Sequence, residues 1–106
     1  IVSPLAYVSA HATLGPGTIV MHGAQVSAGA RIGVNCIINS RALIEHDVIV
    51  YNHCHISTAA VLNGGVVIGA GSFVGSNATI REGVRVGGRC LVGMGEVVTA
   101  NFRVEK

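Results

Sequence analysis

The sequence predicts an all-β chain of short strands and tight corners that repeat every six residues. Three observations carry this. Every sixth residue from Val8 is aliphatic, through Leu14, Val20, Val26, Ile32, Ile38, Ile44, Val50, Ile56, Leu62, Ile68, Val74, Ile80, Val86, Val92 and Val98 to Val104. Four residues beyond each stands a small one, from Ala12, Thr18, Ala24 and Ala30 through Cys36, Ala42, Val48, Cys54, Ala60, Val66, Ser72 and Ala78 to Val84 and Cys90; Glu96 and Phe102 break the rule. The composition fits: 15 glycines, with only 4% aromatic and 11% charged residues in a chain that is 50% hydrophobic. A layered core would use more Phe, Trp and Tyr.

A helix needs a period of 3.6 and an ordinary strand a period of two. A period of six fits short strands joined by corners. Each hexad contributes one strand in which the small and the aliphatic residue, two apart, both point inward, as in Ala12–Leu14, Thr18–Val20 and Ala24–Val26. The residue between them points outward. Gly15, Gly33, Gly69, Gly75, Gly87 and Gly93 follow the aliphatic position directly, where the chain is expected to turn.

This pattern is the hexapeptide repeat, and it resembles the left-handed parallel β-helix of that family. The resemblance implies a single domain over residues 1–106 with three hexads per triangular coil. About six coils would stack at roughly 4.8 Å each. The left hand comes from the resemblance, since a period alone carries no chirality.

Residues one coil apart then stack in columns, and three columns face outward. The first reads Ile1, Ile19, Ile37, His55, Phe73, Leu91. The second reads Tyr7, Gln25, Leu43, Val61, Thr79, Val97, and the third Thr13, Arg31, Ile49, Val67, Arg85, Arg103. The first is apolar except at His55, so it is expected to line an interface between subunits. A homotrimer suits a three-faced prism and is also the family habit. The third column carries arginine and is expected to face solvent.

Cys36, Cys54 and Cys90 share an inward column with Thr18 and Ser72 and read as small core residues. Cys36 and Cys54 are one coil apart, which leaves a disulfide open. Three cysteines without a secretory signal favour a reducing, cytoplasmic setting.

Three of the five histidines, His46, His53 and His55, fall within ten residues in "ALIEHDVIVYNHCHIS". His46 shares a corner column with Ala28 and Gly64, small neighbours that would leave a groove beside it. The wider segment "NSRALIEHDVIVYNHCHIS" resembles the sugar O/N-acyltransferases of the sialic-acid and bacillosamine type within the hexapeptide superfamily. That resemblance implies His46 as catalytic base with Asp47 beside it. It also implies His55, nine residues on, as a contact to acetyl-CoA, and Asn39, seven residues before His46, as a contact to the acceptor. Family backbone contacts to CoA fall at Ser76 and Met94. Arg81, Arg85 and Arg89 are near enough in sequence to meet CoA phosphates, and a solvated face explains them equally well.

The chemistry agrees with these roles. A thioester is already activated, so acyl transfer to an amine or hydroxyl needs mainly a base, the role given to His46. Asp47 can hold the imidazole in one tautomer and stabilise its charged form. His55 or a backbone N–H could serve the developing oxyanion. His46 and His55 lie half a coil apart, near different corners; they are not expected to touch within one chain and could meet across a trimer interface. His53, His11 and His22 read as exposed corner residues.

Two other classes compete. A zinc trimer of the gamma carbonic anhydrase kind would need about three or four ligands converging at roughly 2 Å from the ion. His46, His53 and His55 supply nitrogens, but spacings of seven and two do not match that family's close histidine pair, so no metal is expected. A non-catalytic assembly module is the third reading. The net charge of +2, without a basic run interleaved with aromatics, argues against nucleic acid. No stretch of about 18 purely apolar residues suggests a membrane span.

The sequence departs from the family at several points. Tyr51 stands where a corner glycine is usual, and the ending "TANFRVEK" lacks the family's terminal turn. The family's N-terminal nucleotide-sugar-binding domain is absent, as are a signal peptide and a starting Met, so an excised domain or a processed terminus is expected.

Overall fold

In the computed structural model, residues 1–101 are described, and they form sixteen two-residue strands at intervals of six, from Tyr7–Val8 to Val97–Val98. Phe102, Arg103 and Val104 of the repeat columns lie outside the described residues. Each strand pairs in parallel with those one coil before and after it, as in Ile37 with His55 and His55 with Phe73. The strands divide into one sheet of six and two of five, the three faces of a prism. That is five full coils and part of a sixth, in accord with the expected count. The prism measures 38 × 22 × 20 Å.

The outward columns fall one to a sheet, and the inward positions form one continuous core. Ala24, Val26, Ala42, Ile44, Ala60, Leu62, Ala78 and Ile80 are all at 0% or 1% exposure. From Tyr7 to Thr79 the coils are tied by backbone bonds from each outward strand residue to the next coil, such as Gln25 N to Ala42 O at 2.9 Å and Leu43 N to Ala60 O at 2.8 Å. Polar members of the inward column serve the corners. Thr18 Oγ1 donates to Gly33 O at 2.7 Å and accepts from Cys36 N at 3.1 Å; Ser72 Oγ repeats the pattern with Gly87 O and Cys90 N. Burial therefore leaves these hydroxyls satisfied, as it must.

The glycines that follow the aliphatic residues do stand where the chain turns, as in Thr18 N donating to Gly15 O at 3.4 Å and Ala78 N to Gly75 O at 3.2 Å. The left-handed backbone position does not follow the aliphatic residue directly but lies three beyond it. It recurs without a break from Gly17 to Gly95, occupied by Asn35, Asp47, His53 and Arg89 among others. Gly69 is required for another reason. A Cβ there would stand 2.5 Å from the Gly88 nitrogen of the next coil, so its absence lets the coils stack closely. Tyr51 is not in the left-handed region, and no dihedral demand for glycine applies to it.

All three cysteines are buried and free, so the possible Cys36–Cys54 bridge is not formed. Cys36 Sγ donates to Tyr51 O and Cys54 Sγ to Gly69 O, each at 3.1 Å. The neighbouring Cys36 thiol, together with burial, holds the Cys54 thiol above its ordinary range.

Candidate active site

His46 and Asp47 occupy the corner between the second and third faces. The backbone there is fixed from both sides, by Asp47 N to Ala28 O at 3.1 Å and by Gly65 N to His46 O at 3.0 Å. Asp47 holds the left-handed position with φ 59°, which aspartate tolerates better than most residues. Its Oδ2 lies 3.3 Å from His46 Nδ1. With Nδ1–H donating to the carboxylate, Nε2 keeps its lone pair and lies over Gly64 of the next coil. Both side chains are open to solvent, at 70% and 72% exposure.

The pair depends on two glycines, one in each adjacent coil. A Cβ on Gly64 would stand 2.6 Å from both Cε1 and Nε2 of His46. A Cβ on Gly29 would collide with Asp47 Oδ1. The imidazole therefore leans over one coil and the carboxylate over the other. The groove expected beside His46 is corrected accordingly: the ring itself occupies the space over Gly64. Gly29 was missed in the sequence, though its signal was available, since it lies one coil before Asp47 as Gly64 lies one coil after His46.

The remaining predicted residues gather at the opposite edge of the second face. His55 is half-buried on the first face, and its Nε2 lies 3.3 Å from Asn39 Nδ2. Its ring meets Phe73 edge to face at a centroid distance of 5.0 Å. Ser76 Oγ is 2.9 Å from Ser57 Oγ, and the Ser76 carbonyl accepts from Gly95 N at 2.8 Å. Met94, one coil beyond Ser76, is 79% exposed. The structure thus brings Asn39 to His55 and stacks Ser76 beside Met94. It does not bring His46 to His55, because the second face lies between them and no hydrogen bond joins them.

His53 is exposed at a left-handed corner, and His22 is engaged by Ser3 Oγ at 2.6 Å. Arg81, Arg85 and Arg89 are exposed. On the third face Ile49 and Val67 are only half-exposed. Ile49 joins Arg31, Tyr51 and Asn52 around a shallow depression of about 230 Å³, so this column is less uniformly solvated than its arginines suggested. Exposed apolar residues are not confined to the first face: Tyr7 and Val97 of the second are exposed beside Ile1, Phe73 and Leu91 of the first. Among the described residues no three His, Cys, Asp or Glu side chains converge on a metal position within the chain, and no helix is long and apolar enough to cross a membrane.

Residues 65–100 match the family described as the hexapeptide repeat of succinyl-transferase. The acetyltransferase domain of PglB from Neisseria gonorrhoeae superposes with a TM-score of 0.96 at 34% identity, covering 96% of this chain and 50% of that one. PerB from Caulobacter crescentus, solved in complex with CoA and GDP-perosamine, superposes with a TM-score of 0.96 at 36% identity, covering 98% and 50%. The chain carries the hexapeptide repeat and is similar over nearly its whole length to these acetyltransferase structures. No curated protein matches it in sequence. This hexapeptide-repeat chain spans about half the length of the solved structures it matches. The PglB domain has also been solved in complex with acetyl coenzyme A, at 34% identity and a TM-score of 0.95.

Proposed function

We propose that the chain carries the acyl-transfer site of an enzyme that moves an acetyl group from acetyl-CoA to the amine of a nucleotide-linked sugar. The observation that carries this is the His46–Asp47 pair, held by Gly29 and Gly64 on a prism whose solved relatives bind CoA and a nucleotide sugar. His46 Nε2 takes the proton from the amine as its nitrogen attacks the thioester carbonyl. The C–S bond then breaks and the CoA sulfur leaves. Asp47 steadies the imidazole through Nδ1 as the ring gains charge. His55, Ser76 and Met94 form the donor side, with no metal required.

Because those groups lie at the two edges of one face, a complete site needs the His46 edge of one copy against the His55 edge of another. A homotrimer supplies three such sites, and the exposed Phe73 and Leu91 support burial of the first face. Buried free thiols suit a reducing compartment, and we place the protein in the cytoplasm.

The test is a screen for CoA release from acetyl-CoA across nucleotide-linked amino sugars and simple amines, with and without EDTA. The expected result is acceptor-dependent release that EDTA leaves unchanged. Stoichiometric zinc bound by the histidines, with EDTA abolishing activity, would install the metal reading instead.

Gly64→Ala adds a sharper expectation. The three atoms nearest its methyl all belong to the far end of the His46 ring, and the Gly64 backbone is not in the left-handed region. The ring must move, and a misplacement of this order costs about 10²-fold in rate. Thermal unfolding should stay near that of the parent. Full activity in Gly64→Ala would show that the observed ring position is not the working one.

A further inference from the structure

We propose that Asn39 is a positioning residue that holds the His55 imidazole with Nε2 as hydrogen-bond acceptor, so that Nδ1–H is the group presented to the thioester carbonyl. The argument starts from the backbone. Ser40 N–H donates to Asn39 Oδ1 at 2.8 Å. A backbone donor must meet the amide oxygen, so the orientation of the Asn39 amide is set and its NH₂ group faces the other way. That NH₂ lies 3.3 Å from His55 Nε2. A donor there requires an acceptor opposite, and a proton on Nε2 would set two donors against each other. The His55 proton therefore sits on Nδ1.

The coil register makes the contact possible. Ile37 pairs with His55 across the first face, and Asn39 follows two residues later, at the corner where the chain leaves that face. Phe73, paired with His55 from the other side, bounds the ring edge to face. Among the described residues no hydrogen-bond partner takes His55 Nδ1, and the side chain is only half-buried.

A comparison with His46 gives this meaning. Both rings carry the proton on Nδ1, but their partners cover opposite ends. Asp47 covers Nδ1 of His46 and leaves a lone pair free, which suits a base. Asn39 covers Nε2 of His55 and leaves an N–H free, which suits a donor to a developing oxyanion. Two histidines on one scaffold are thus made to do different chemistry by their neighbours. The choice of the thioester carbonyl as the group met by Nδ1–H rests on the acetyl-CoA reading above; the tautomer does not.

Two measurements on the full chain separate these parts. In histidine-selective ¹⁵N NMR at neutral pH, with His55 identified by the signals lost in His55→Ala, Nδ1 should be protonated and Nε2 bare. In Asn39→Asp, Nε2 should gain a proton, because a carboxylate oxygen now faces it. Binding of acetyl-CoA and of CoA is then compared in the parent and in Asn39→Ala. Acetyl-CoA should bind about 3- to 10-fold more weakly to the variant, the span of one hydrogen bond, while CoA, which lacks the carbonyl, binds as before. A parent His55 protonated on Nε2 would overturn the proposal. So would equal effects on both ligands, or a change confined to the KM of the sugar acceptor, which would make Asn39 an acceptor contact. A parent chain that binds neither thioester nor thiol would overturn the donor reading and the role given to Nδ1–H, while the NMR result would still decide the positioning of the ring.

Discussion

Leu62→Ala should lower the free energy of unfolding by about 2–5 kcal/mol, the usual cost of emptying a fully buried leucine site. Leu62 is at 0% exposure in the middle of the six-stranded sheet, stacked between Ile44 and Ile80, which are equally buried. A coil in such a stack touches only its neighbours, so the cavity cannot be filled by movement elsewhere. The backbone ladders hold the coil spacing and further limit collapse. The effect is read from the denaturant midpoint at unchanged slope, with Val97→Ala as the reference, since Val97 shares the sheet but is 71% exposed. Equal shifts in the two variants would mean that the aliphatic ladder is not the source of stability.

The ladder was also the most legible feature of the sequence, for a physical reason. An inward position in a stack of coils meets the same environment every six residues, so its chemistry repeats and shows as a period. The corners were harder to read. Two different demands select glycine there, a left-handed dihedral at positions such as Gly17 and a close approach of coils at positions such as Gly69. The second set drew attention because its glycines follow the aliphatic residues. The first was diluted by Asn35, Arg41, Asp47, His53, Ala59, Asn77 and Arg89, which accept the same dihedral.

The candidate site divides in the same way. His46 and Asp47 are adjacent in sequence, and their pairing could be read directly. The Asn39–His55 contact joins residues sixteen apart, and it becomes visible only when the coil register is known to place Ile37 beside His55. Residue columns record stacking along the prism but not the diagonal reach of a side chain across a corner.

His46→Ala should reduce acetyl-CoA-dependent CoA release by about 10²–10⁴-fold, the usual contribution of a positioned general base. The side chain lies outside the core, over Gly64, so its removal should leave the thermal midpoint and the oligomeric state close to those of the parent. His53 provides the control. It is exposed at its own corner, seven residues on in the same segment, without the carboxylate pairing that Asp47 gives His46. The central claim, that this corner performs the proton transfer, is tested most directly by the ratio of CoA-release rates in His46→Ala and His53→Ala. The account predicts the His46 variant slower by at least about 10²-fold, with the His53 variant near the parent. Loss of turnover in His53→Ala, with His46→Ala within a few-fold of the parent, would contradict it.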